Sequence, residues 1–211
     1  STAKDDVSTW AAGDDVTDST GFTGSLNNLS VNSLRFGSAA TSTVTINADN
    51  RLNIASSGIL VTSAVGAGPA SITGGILSGG TLNEIIVHQN NTTSSFAIGS
   101  NILGGSALTK TGAGTLTLSG NNTFHGTINV NDGTLIPSGG KAIGDFSLVA
   151  LKSNGGSVFD LNNGTETIGA LSSTAVFSTT GIEDGMVSIG TGTLTINNTV
   201  ATRVYQGSLS G

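Results

Sequence analysis

Residues 110–135, KTGAGTLTLSGNNTFHGTINVNDGTL, constrain the fold of this chain more than any other stretch. They hold two short runs of alternating apolar residues, Leu116/Leu118 and Ile128/Val130, and a third begins at Leu135. Alternation with a period of two marks a strand with one buried face. Between the runs lie Gly, Asn, Asp and Thr, which turn a backbone through left-handed or Asx-type conformations at low cost. Each run is too short to bury a core alone. The stretch therefore reads as one coil of a β-solenoid that needs coils above and below it.

The same idiom continues along the chain. Gly followed by an apolar pair recurs at Gly58, Gly80, Gly114, Gly133, Gly156 and Gly192, and successive positions differ by 22, 34, 19, 23 and 36. Three gaps are near the length of one coil, roughly 20–25 residues, and two are longer. This irregularity predicts a right-handed parallel β-helix of about nine uneven coils, with little or no helix and a single domain over 1–211. The period-two pairs Leu29/Val31 and Leu34/Phe36 place strands in the entry coils, 1–40, and Phe159, Leu161, Ile168 and Leu171 are inward candidates later on. Residues 63–75 are turn-rich and contain Pro69, which cannot occupy a central strand position, so a loop off the solenoid is expected there. Paired asparagines at 27–28, 90–91, 121–122, 162–163 and 197–198 read as turn formers, with side-chain ladders between coils at one or two places.

Composition narrows the function. Charged residues are 9% of the chain against roughly 25% in typical soluble domains, and the net charge is −6. The seven bases, Lys4, Arg35, Arg51, Lys110, Lys141, Lys152 and Arg203, are scattered singly, so no patch offers a phosphate backbone a grip and nucleic acid is excluded as a partner. A membrane-spanning helix needs an apolar run of roughly 18 residues or more. No run approaches that length, so membrane insertion by this segment is not expected. The polar, acidic start STAKDDVSTW is not a signal peptide, and the absence of Cys suits an exported chain that avoids mispairing.

Residues 110–135 closely resemble the passenger-associated repeat of bacterial autotransporters, GxGTLTLSGxNTYTGxTxVxxGTL. Phe124 stands at the Tyr of that pattern and His125 at the following Thr. The resemblance is strongest at 108–137, weakest before residue 40, and implies an extracellular or cell-surface β-helix from a Gram-negative-type bacterium. An autotransporter passenger is followed by a barrel of roughly 12 strands. No such pattern lies within residues 1–211.

Polysaccharide-cutting β-helices use clustered carboxylates on neighbouring coils. The acids here are Asp5, Asp6, Asp14, Asp15, Asp18, Asp49, Glu84, Asp132, Asp145, Asp160, Glu166, Glu183 and Asp184, and most look like solitary turn acids. Only the first five are dense; they read as a solvated acidic edge, with a Ca²⁺ loop as the alternative. His88 and His125 read as surface or rim residues, and no Cys accompanies them as a metal ligand. Hence no catalytic residue, cofactor site or metal site is expected. The preferred function is a non-enzymatic structural protein whose coil ends stack copies head to tail into a filament. An adhesin-like passenger segment displaying loops to a glycan or host ligand comes second, and a β-helical enzyme third.

Overall fold

The computed structural model describes residues 2–81, 83–103, 105–152, 156–174, 185–197 and 205–211. Glu183, Asp184, Arg203 and Leu82 lie outside them. The described chain is an all-β solenoid in which every strand pairing is parallel. Its only helical pieces, among the described residues, are two 3₁₀ turns, Val7–Thr9 and Ser63–Val65.

Two sheets of nine strands run the length of the solenoid. The first includes Asp15–Thr17, Gly58–Val61, Glu84–Gln89, Ala107–Thr111, Ile128–Val130 and Leu148–Lys152. The second includes Ser42–Ile46, Phe96–Ile98, Thr115–Leu118, Gly133–Pro137 and Ser157–Asp160. The length of chain between paired strands varies. Leu116 pairs with Leu135, whereas Phe159 pairs with Val187, a much longer step along the sequence. A parallel sheet tolerates this because only the strands must align; the corners absorb the difference.

The core follows from the pleat. In Ser42–Ile46 and Gly133–Pro137 alternate residues are buried, and Ser42, Val44, Gly133 and Leu135 stack on Ala70, Ile72, Ser157 and Phe159 of the next coil. One column runs Val16, Leu34, Ile59, Val87, then Lys110, then Val130 and Leu151. A second feature is aromatic: Trp10, Phe22, Phe36 and Phe96 stack with ring centroids 5.1, 5.1 and 4.9 Å apart. Full burial of each such side chain is worth about 1.5–3 kcal/mol, so these columns are the main stabilising element.

Several expectations from the sequence are refined here. Phe159, Leu161, Ile168 and Leu171 are all buried, as read. The Gly-plus-apolar-pair signal, however, marks corners rather than one face of the coil. Gly114, Gly133 and Gly156 open strands of the second sheet, Gly58 opens one of the first, and Gly192 precedes a strand of a third face. The two longest gaps arise from jumps between faces. Residues 63–75 are not a loop off the solenoid. Val65 is buried, and a Cβ on Gly68 would collide with the Ala39 carbonyl, so this corner packs directly on the coil before it.

Of the acidic start, Asp6 and Asp15 are exposed and Asp5 and Asp14 half-buried, as a solvated edge requires, while their carboxylates also take hydrogen bonds. Asp5 accepts hydrogen bonds from the backbone and hydroxyl groups of Ser19 and Thr20, Asp15 from Asn32 and Ser33, and Asp14 pairs with Lys4. Asp18 is buried and accepts the Gly37 and Ser38 N–H groups. These carboxylates close turns between coils. Asparagines do both things expected of them: Asn162 and Asn163 hold positive φ, and Asn47 donates to Asn27 in the preceding coil at 3.0 Å.

Candidate functional site

The third face of the solenoid is broken. Leu29–Val31, Arg51–Ile54, Ile76–Gly79 and Asn101–Ile102 form one parallel sheet, and Thr165–Ile168 and Thr193–Ile196 form another. Between them, residues 119–127 and 138–147 cross the same face without a strand. Neither segment has an alternating apolar run, and Gly120, Gly126, Gly139, Gly140 and Gly144 interrupt them.

Side chains take over the work of the missing ladder. The Asn122 carboxamide accepts from the Ile102 N–H at 2.7 Å and donates to the Ala142 carbonyl at 2.6 Å. The Glu166 carboxylate accepts from the Ala142 and Ile143 N–H groups at 3.3 and 3.4 Å. Both side chains are buried, so this chain of bonds satisfies backbone groups that water cannot reach. Burial pushes the Glu166 carboxyl up to about 6, and the Asp145 charge adds to that, while the backbone N–H groups oppose it.

A groove of about 490 Å³ opens over this break. Its walls carry Asn121, His125, Lys141, Asp145 and Phe146, and its floor Phe124 and Ile143. The turn that holds Phe146 is clamped from both sides. The Ser147 carbonyl accepts from the Gly169 N–H at 2.9 Å, and the Ser147 hydroxyl donates to the Phe124 carbonyl at 3.0 Å. A Cβ on Gly144 would overlap the Phe124 carbonyl oxygen, and one on Gly169 would overlap the Phe146 carbonyl. Glycine is therefore required at both places for the turn to seat between its neighbours.

His125 is exposed on the groove wall and His88 is exposed on the first sheet, as rim residues should be. Asp145 is the single carboxylate among the described residues lining the groove, and Glu166, whose carboxyl feels its charge, is buried. Among the described residues no group of three or more His, Asp or Glu could hold a metal ion.

Three buried ionisable residues run against the sequence expectation: Asp18, described above, Glu166 and Lys110. Glu166, grouped with the solitary turn acids, faces the core, as its spacing of two from Ile168 would have indicated. Lys110, counted among scattered bases, is fully buried between Val87 and Val130. Its ammonium donates to the Gly112 and Asp132 carbonyls at 2.6 and 2.7 Å. Burial pulls its pKa down to about 8, against the pull of Asp132. Gln89 and Asn91 are buried at the same corner, and Gln89 donates to the Thr115 carbonyl at 3.1 Å. The matching sequence signal was the parity of Lys110 with Leu108.

Parallel coils, an aliphatic column and a broken third face define a β-solenoid that carries a passenger-type repeat. Residues 108–136 match the family described as passenger-associated-transport-repeat. Over 141 residues the chain is 37% identical to "Adhesin BmaC autotransporter" of Brucella suis biovar 1 (strain 1330), a match that covers 63% of this chain and 4% of that protein. The chain thus spans a small part of the length of the curated relative that it matches. No solved structure matches it. The matched repeat runs from within the strand Ala107–Thr111 to within Gly133–Pro137 and takes in the first of the two strandless crossings.

Proposed function

We propose that this chain is a non-enzymatic, adhesin-like passenger segment, exported by a Gram-negative-type bacterium and displayed at or beyond its surface. The observation that carries this reading is the break in the third face. Two coils give up a strand, replace its ladder with buried Asn122 and Glu166, and hold a groove open over the gap. Buried side chains rather than a strand ladder hold this gap, and a role in contact with a ligand accounts for the groove better than a purely structural one. The 37% identity to a protein named as an adhesin supports the same reading. The test is attachment of beads coated with the purified chain to cultured mammalian epithelial cells. Attachment well above that of beads coated with the heat-denatured chain is expected; equal attachment would overturn the proposal.

A second reading is favoured by a separate observation. The coil near the C-terminus exposes Leu209 (61%) and Ile196 (46%) beside an apolar cleft lined also by Ile189 and Leu194. A further parallel coil would cover that surface, and where that coil belongs to a second copy the copies grow head to tail. Negative-stain microscopy over a concentration series separates isolated rods from filaments.

A further inference from the structure

We propose that the groove over the broken third face binds a neutral oligosaccharide, with Phe146 as its stacking platform and Asn121, His125, Lys141 and Asp145 as hydrogen-bonding partners for sugar hydroxyls. The proposal deepens the adhesive reading and rests on it for the source of the ligand.

The first observation is Phe146 itself. It is 68% exposed, whereas Phe22, Phe36, Phe96, Phe124 and Phe159 are all buried. A lone exposed apolar side chain is ordinary on any surface. This one differs in being anchored: its turn is fixed by Ser147 to the coils on both sides, and Gly144 and Gly169 give it room to seat. The ring is thus presented on a rigid support at the edge of a concavity, where binding it costs little ordering entropy.

The second observation is the mix of groups around it. A sugar ring has an apolar C–H face and a rim of hydroxyls, so its site needs an aromatic surface with planar polar groups beside it. Asn121, His125 and Asp145 supply carboxamide, imidazole and carboxylate groups, and Lys141 an ammonium, all on the lining of the same groove. The lining carries one cation and one carboxylate, which cancel. With a net charge of −6 on the whole chain, polyanionic glycans are disfavoured and neutral ones are not. The floor, Phe124 and Ile143, is held by bonds between the backbone and the buried side chains of Asn122, Glu166 and Ser147, so the cavity exists before any ligand arrives.

The experiment is a glycan microarray carrying neutral hexose and N-acetylhexosamine oligosaccharides beside sialylated, sulfated and uronate-containing ones, probed with the purified chain. Retention of neutral oligosaccharides alone is expected. Affinity for the retained glycan should fall roughly tenfold in Phe146→Ala, recover in Phe146→Trp, and fall in Asp145→Asn, with the thermal midpoint unchanged because the ring projects into solvent. Retention of no neutral oligosaccharide, retention of acidic ones only, or equal binding by Phe146→Ala would each overturn the proposal. Bead attachment to cells with an empty array would leave the adhesive reading standing and remove the sugar from it. Binding on the array without bead attachment would do the reverse.

Discussion

Lys110 and Glu166 stand in columns that the pleat otherwise fills with aliphatic side chains, and each answers burial by hydrogen-bonding the backbone. Their shifts run in opposite directions and have opposite consequences for stability. Glu166 titrates at about 6 in the folded chain against an ordinary 4.5, so the native state binds the extra proton between those values. Stability from this group therefore rises as pH falls from 7 through 6. Lys110 titrates at about 8 against 10.5, so the unfolded chain binds the extra proton and stability rises as pH climbs above 8. The urea midpoint should be higher at pH 5 than at pH 7.5, and Glu166→Gln should flatten that difference. An unchanged difference in the variant would place the effect elsewhere. The well-bonded Asp5 carboxyl, for which burial is outweighed by bonds from Ser19 and Thr20, titrates at about 2 and acts only at stronger acidity.

Gly133 makes a second test at this scale. Its φ is +65°, and a Cβ there would lie 2.5 Å from the Gly112 and Gly114 carbonyl oxygens and 2.7 Å from the Lys110 ammonium. Two of those neighbours are backbone and cannot move aside. Gly133→Ala should cost at least about 2 kcal/mol in urea denaturation, from the left-handed conformation and the clash together. A loss under half of that would show that the corner relaxes.

At the scale of elements, the broken third face depends on one side chain more than on any strand. Asn122→Ala would leave the Ile102 N–H and the Ala142 carbonyl buried without partners, a loss of about 3 kcal/mol at about 1–3 kcal/mol per group. Asn121→Ala, whose side chain is exposed, should cost less than about 0.5 kcal/mol. Equal losses would mean that water reaches the gap. Strands were legible in the sequence wherever apolar residues alternated, as at Leu116/Leu118 and Ile128/Val130, because the pleat is a local property. Which face a strand joins is not local. It depends on how many residues each corner consumes, and for that reason Gly192 and Gly114 looked alike yet lead to different sheets. The groove was hidden for the same reason: its walls come from residues a full coil apart in the sequence, such as His125 and Asp145, that only the stacking of coils brings together. Lys110 and Glu166 could have been found by parity, but side-chain type argued for the surface.

For the whole molecule, nine strands at about 4.8 Å spacing make a rod about 40 Å long, with the groove on its side and an apolar cleft near its C-terminal coil. Leu209→Asp should abolish any concentration-dependent filaments while leaving bead attachment intact, because Leu209 is not among the residues that line the groove. Filaments that persist in this variant would remove that coil as the contact.

The most direct measurement is bead attachment scanned by face. One charge is introduced on each side of the rod: His88→Glu on the first sheet, Thr117→Glu on the second and Phe146→Glu at the groove. The account predicts that only Phe146→Glu loses attachment. Loss from either long sheet with Phe146→Glu still adhering would contradict it.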